Sequence, residues 1–97
     1  MKTTKFDPAE HLKSPEVQAE LISEAFGTGD PKFIAHVIGT VARARGMTDV
    51  ARDSGVSREA LYRALSEKGD PRLSTVTNVL SALGFGLEAK VLPDTHA

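Results

Sequence analysis

The chain has no cysteine and no tryptophan, and only one tyrosine and four phenylalanines. Without Cys there are no disulfides, no thiol nucleophile and no Cys-ligated zinc, and the sequence is compatible with a reducing cytosol. Aromatics at 5% leave the core to Val, Leu, Ile and Ala. No apolar run approaches the ~20 residues that would cross a bilayer. The opening Met1-Lys2-Thr3-Thr4-Lys5-Phe6-Asp7-Pro8 has no apolar stretch behind its charges, so it does not read as a signal peptide. A cytoplasmic location with no membrane partner is therefore expected. Overall charge is also lacking. Twelve Lys and Arg stand against 13 Asp and Glu, for a net charge of −1, which excludes a polybasic tail. What remains is 97 residues, enough for one domain (1–97) with a modest core and no need of metals or cofactors.

The charge is unevenly placed. Residues 1–30 carry three Lys against six acids, net −3, whereas residues 31–75 carry eight basic residues against five acids, net +3. A chain neutral overall can still present a basic face, and that face is what a phosphate backbone feels. Arg43, Arg45, Lys68 and Arg72 lie in this basic stretch and are candidates for phosphate contacts.

Helix signals punctuate the chain from Ser14 onward. Ser14-Pro15-Glu16 combines a cap, a first-turn Pro and an acid at the positive end of the dipole. Val17, Leu21, Ile22 and Ala25 recur at helical spacing until Gly27-Thr28-Gly29. Asp30-Pro31 starts a second helix with the stripe Phe33, Ile34, Val37, Ile38 and Val41, ending near Arg45-Gly46. A third fits 48–54, stopped by Gly55. Ser57 caps a fourth, running to about Ser66, and Ser74 caps a fifth, carrying Val76, Val79, Leu80 and Leu83. After Gly86, Leu87, Ala89 and Val91 alternate with Glu88 and Lys90, the period of a strand. A lone strand leaves its backbone groups unsatisfied. Its partner would be residues 3–6, the same strand of a second copy, or the edge of another protein. The expectation is thus an all-α class, five helices with a short C-terminal strand. The N-terminal extension and first helix occupy 1–29, the helical core 30–85 and the strand 86–92.

Residues 47–65 have the layout of a helix-turn-helix. Ala51 is small where two helices cross, and Gly55, four residues on, suits a turn that favours positive φ. Val56 plugs the turn, Ser57 caps the second helix, and Val50, Leu61, Ala64 and Leu65 face inward. Arg58, Glu59, Tyr62 and Arg63 share the other face. In a major groove the start of this helix meets base edges, and an Arg there binds guanine through two hydrogen bonds. Tyr62 offers its ring to a thymine methyl or its hydroxyl to a phosphate. Glu59 accepts from cytosine or orients Arg63 one turn along.

Residues 30–92 resemble the Cro/CI, lambda-repressor-like class of helix-turn-helix domains. A narrower likeness runs through Phe6-Asp7-Pro8, Gly29-Asp30, Ala42-Arg43-Ala44-Arg45-Gly46-Met47-Thr48, Ser57-Arg58-Glu59-Ala60-Leu61-Tyr62-Arg63-Ala64-Leu65-Ser66, Gly69-Asp70-Pro71 and Ala82-Leu83-Gly84-Phe85. This set resembles the HigA-like addiction module antidote family. The resemblance implies a homodimeric antitoxin that binds double-stranded operator DNA, represses its own operon and neutralises a RelE/ParE-like toxin. A phage-type Cro/CI repressor without a toxin is the alternative. Carried over, the resemblance places Thr48 on a phosphate and Ser57, Arg58, Glu59, Tyr62 and Arg63 in or beside the major groove. Asp49 and Asp70 depart from it, standing where an amide is common, and an acid beside the DNA backbone is repelled.

Other candidates carry less. His11, His36 and His96 lack ligand spacing, and Gly84-Phe85-Gly86 has neither the strand nor the lysine of a phosphate loop. Glu16, Glu20 and Glu24 form an acidic stripe. By itself this is a solvated face, and under the resemblance it becomes a docking surface for a basic toxin. With no clustered acid–base set, the chain does not read as an enzyme.

Overall fold

A computed structural model of the chain describes residues 13–93. It contains α1 (Pro15–Thr28), α2 (Pro31–Arg45), α3 (Met47–Ser54), α4 (Arg58–Ala64) and α5 (Leu73–Leu83). The fold is all-helical, with no strand among the described residues.

Local chemistry sets most of the boundaries. Ser14 Oγ accepts from the Val17 N–H at 3.4 Å, and Asp30 Oδ1 accepts from the Lys32 and Phe33 N–H groups at 3.1 and 3.4 Å. Ser57 Oγ accepts from the Ala60 N–H at 3.1 Å. Each side chain satisfies amides that the first turn leaves without partners. α5 differs from expectation. It begins at Leu73, its N-cap is Arg72 with no side-chain hydrogen bond, and Ser74 lies inside the first turn. The chain turns closely at Gly69 before reaching this helix. A β-carbon on Gly69 would collide with the Ala64 carbonyl.

α1 packs on α2, while α3 packs on α2, α4 and α5. Ile38, Leu61, Leu65, Val79 and Leu80 form the centre of the core, with Met47 and Val50 of α3 sealing it. Full burial of one such side chain stabilises the fold by about 1.5–3 kcal/mol. The inner face of α2 is made of small residues as well as large ones: Ala35, Gly39 and Ala42 are buried beside Ile38 and Val41. Gly39 allows α2 to touch the end of α4. A β-carbon there would run into the Leu65 carbonyl oxygen and lie 3.1 Å from Leu65 Cβ. Phe33 faces outward and is 44% exposed, although its spacing suggested the core stripe.

The strand expected over 86–92 is not found. Residues 85–93 carry neither helix nor strand, and among the described residues none bonds to the backbone of 86–93. The alternating pattern is present, but a strand exists only with a partner ladder, and the described residues do not supply one. Residues 3–6, one of the partners considered, lie outside the described residues.

Candidate nucleic-acid interface

The turn between α3 and α4 is built from its own side chains. Ser54 Oγ donates to the Ala51 carbonyl at 3.4 Å and accepts from the Val56 N–H at 3.3 Å. Gly55 adopts φ 75°, a left-handed conformation that glycine enters without a β-carbon clash. Its N–H donates to the Ala51 carbonyl at 3.0 Å. Val56 then packs against the core, and Leu61 and Leu65 are fully buried. α4 is thereby held by one face and cannot roll without exposing both leucines.

Its opposite face points to solvent. Arg58, Glu59, Tyr62 and Arg63 are all exposed, as is Ser57 at the cap. The Arg58 guanidinium lies 5.9 Å from the centroid of the Tyr62 ring, a cation–π distance that pre-orders both side chains. No ion pair joins Glu59 to Arg63 among the described residues.

A second group forms beside it. Arg63, Lys68 and Arg72 line an open cleft between α4 and the start of α5, with Asp70 in the same wall. Three cations separated in sequence are thus brought to one edge, continuous with α4 through Arg63. Arg43 is exposed near the C-terminal end of α4 as well. Its Nη2 donates to Thr40 Oγ1 at 3.4 Å, and its Nη1 lies against the Gly39–Leu65 contact.

Thr48 is exposed in the first turn of α3, whose N-cap Gly46 supplies no side-chain acceptor. Asp49, beside it, is not alone. Arg52 reaches Asp49 at 3.2 Å and Asp53 at 3.0 Å. The Arg52 guanidinium is held above its ordinary pKa, first by the hydrogen bond to Asp53, then by the charges of Asp53 and Asp49. Part of the acid charge next to Thr48 is therefore offset, a feature that the sequence reading did not include.

Arg45 has a different position. Its Nε donates to Gln18 Oε1 at 2.9 Å, and its Nη2 donates to the Leu83 carbonyl at 2.8 Å. The guanidinium sits 5.7 Å from the Phe85 ring centroid. It ties α1, α2 and the C-terminal end of α5 together, where a cation is favoured by the helix dipole. Gln18, fully buried on α1, had no signal in the hydrophobic pattern.

Glu16, Glu20 and Glu24 are exposed along α1, and His36 is exposed on α2. His11 and His96 lie outside the described residues. Among the described residues no helix is long and apolar enough to cross a membrane.

Comparison with known proteins gives one family and one relative. A family model described as "probable addiction module antidote protein" matches residues 2–91. A Haemophilus influenzae protein described as uncharacterized is 41% identical over 85 residues, which cover 88% of each chain. No solved structure matches. With a match that takes in every helix, both sides of the α3–α4 turn and the cationic cleft, the chain belongs to the addiction module antidote family.

Proposed function

We propose that this protein is a cytoplasmic, non-enzymatic DNA-binding antitoxin. In this reading α3 and α4 act as a helix-turn-helix. α4 enters the major groove and presents Arg58, Glu59, Tyr62 and Arg63 to base edges, with Ser57 at the groove's edge. Thr48, Arg43, Lys68 and Arg72 contact phosphates on either side, which positions the domain without specifying sequence. Arg45 is committed inside the molecule, and the proposed interface does not draw on it. Two copies bind two half-sites about one helical turn apart. The operator lies upstream of the protein's own gene, and the protein neutralises a RelE/ParE-like toxin encoded beside it.

The observation that carries this reading is the contrast across α4: a fully buried Leu61 and Leu65 on one side, and four exposed polar or aromatic side chains on the other. The Arg58 guanidinium over the Tyr62 ring sets a cation and an aromatic side by side on that exposed face, a pairing suited to base edges and phosphates. Family membership supports the toxin partner. The test is co-expression with the product of the neighbouring gene. Relief of growth arrest and co-purification of the two chains are expected. A neighbouring product that is harmless alone, or that neither binds nor is silenced, would reduce the reading to a regulator without a toxin.

A further inference from the structure

We propose that two copies of this chain pair through residues 86–92, in an antiparallel ribbon centred on Ala89. The inference rests on the homodimer in the reading above and names the surface that forms it.

Three observations support it. The segment is exposed yet apolar: Leu87 is 46% exposed, Val91 94% and Leu92 74%. Its backbone N–H and C=O groups bond to no described residue, so they stand as an open edge of the kind that recruits another strand. The third observation is that the sequence is self-complementary about one residue. With Ala89 on a two-fold axis, Glu88 of each copy lies opposite Lys90 of the other, and Leu87 lies opposite Val91. Both pairs occur twice, as an isologous contact requires. Opposite charges and apolar pairs directly across an antiparallel ladder are the favourable combinations. Leu87, Ala89 and Val91 share one face of the ribbon and Glu88 and Lys90 the other. Ala89, the smallest of the set, falls where a side chain meets its own symmetry mate.

An isolated two-stranded ribbon is marginal in water. Here it has a surface to lie on. The segment runs along an open groove between α1 and the end of α5, where its own Leu87, Glu88, Lys90 and Leu92 line the groove with Ile22, Phe26, Leu80 and Phe85. Pairing would set Leu87 and Val91 of each copy against one another on the ribbon's apolar face.

The register is testable because the chain contains no cysteine. In full-length protein, Ala89→Cys should cross-link to a dimer under mild oxidation, since residues opposed in a ladder lie within disulfide reach. Leu87→Cys alone should not, because its symmetry mate is about 13 Å away along the ribbon, whereas a mixture of Leu87→Cys and Val91→Cys should. By sedimentation, Glu88→Lys or Lys90→Glu should weaken dimerisation about tenfold, and the double swap should restore it. The proposal is overturned if Ala89→Cys cross-links no faster than Asn78→Cys on the exposed face of α5. It is equally overturned if the single charge swaps leave the dimer constant unchanged. Operator binding by the same variants separates the two levels. A dimer that still binds operator but ignores these substitutions refutes the ribbon and leaves the DNA-binding reading standing.

Discussion

Replacing Arg45 by Ala should destabilise the protein without changing the exposed face of α4 proposed to bind DNA. The side chain spans three elements, with 2.9 Å and 2.8 Å hydrogen bonds to Gln18 and Leu83 and the Phe85 ring beneath its guanidinium. A hydrogen bond from a charged donor contributes about 1.5–3 kcal/mol when buried. Arg45 is only half-buried, so the lower end applies to each, and the aromatic contact adds about 0.5 kcal/mol. Allowing for water that solvates the freed carbonyl, the loss is about 2–3 kcal/mol. For a chain of this size that lowers Tm by about 10 °C or more. Urea unfolding followed by circular dichroism measures it directly. Arg45→Lys keeps the charge and stem but cannot bridge both acceptors, and should recover only part of the loss. If Arg45→Ala unfolds at the wild-type urea concentration while its operator affinity and salt slope both fall, Arg45 is a phosphate contact and the structural reasoning is wrong.

Further outcomes follow from single contacts. Gly39→Ala forces a β-carbon into the Leu65 carbonyl and should cost about 1–3 kcal/mol in urea unfolding, although alanine is the better helix former. Ser57→Ala removes the cap on α4 and should cost about 1 kcal/mol, read in the same assay. Asp49→Asn removes an acid beside Thr48 and should raise operator affinity several-fold at low salt, with the gain fading as salt screens it. The exposed Arg52 pair it breaks should leave urea unfolding almost unchanged.

What the sequence discloses and what it hides divide along sequence distance. Ser14, Asp30 and Ser57 mark helix starts correctly because a cap is a contact across three residues. Gly55 marks the turn because a left-handed backbone is a local demand. The buried positions of α5 follow from spacing alone. The Gln18–Arg45 and Arg45–Leu83 bonds cross 27 and 38 residues, and no periodicity points to them. Gly39 is invisible for the same reason, since its value lies in the approach of Leu65. Phe33 sits at the edge of the stripe in a helical projection, yet the buried face is centred on Ala35, Ile38 and Ala42 and leaves it in solvent. Residues 86–92 show the converse failure. Alternation states which faces a strand would have, but not that a partner is at hand. For the interface, the α4 face was legible from spacing, whereas the grouping of Arg63, Lys68 and Arg72 around one cleft depends on the path of the chain between α4 and α5.

The central claim, that the exposed face of α4 reads DNA sequence, is tested most directly by fluorescence anisotropy. Wild-type protein and Arg58→Ala would be titrated against the DNA upstream of the gene and against a scrambled duplex, over a salt series. Wild-type binding should favour the upstream DNA and fall linearly with log salt. Arg58→Ala should lose about 1–3 kcal/mol on that duplex and little on the scrambled one. Equal, feeble binding of wild-type protein to both duplexes, or an Arg58→Ala variant that discriminates as well as wild type, would contradict it.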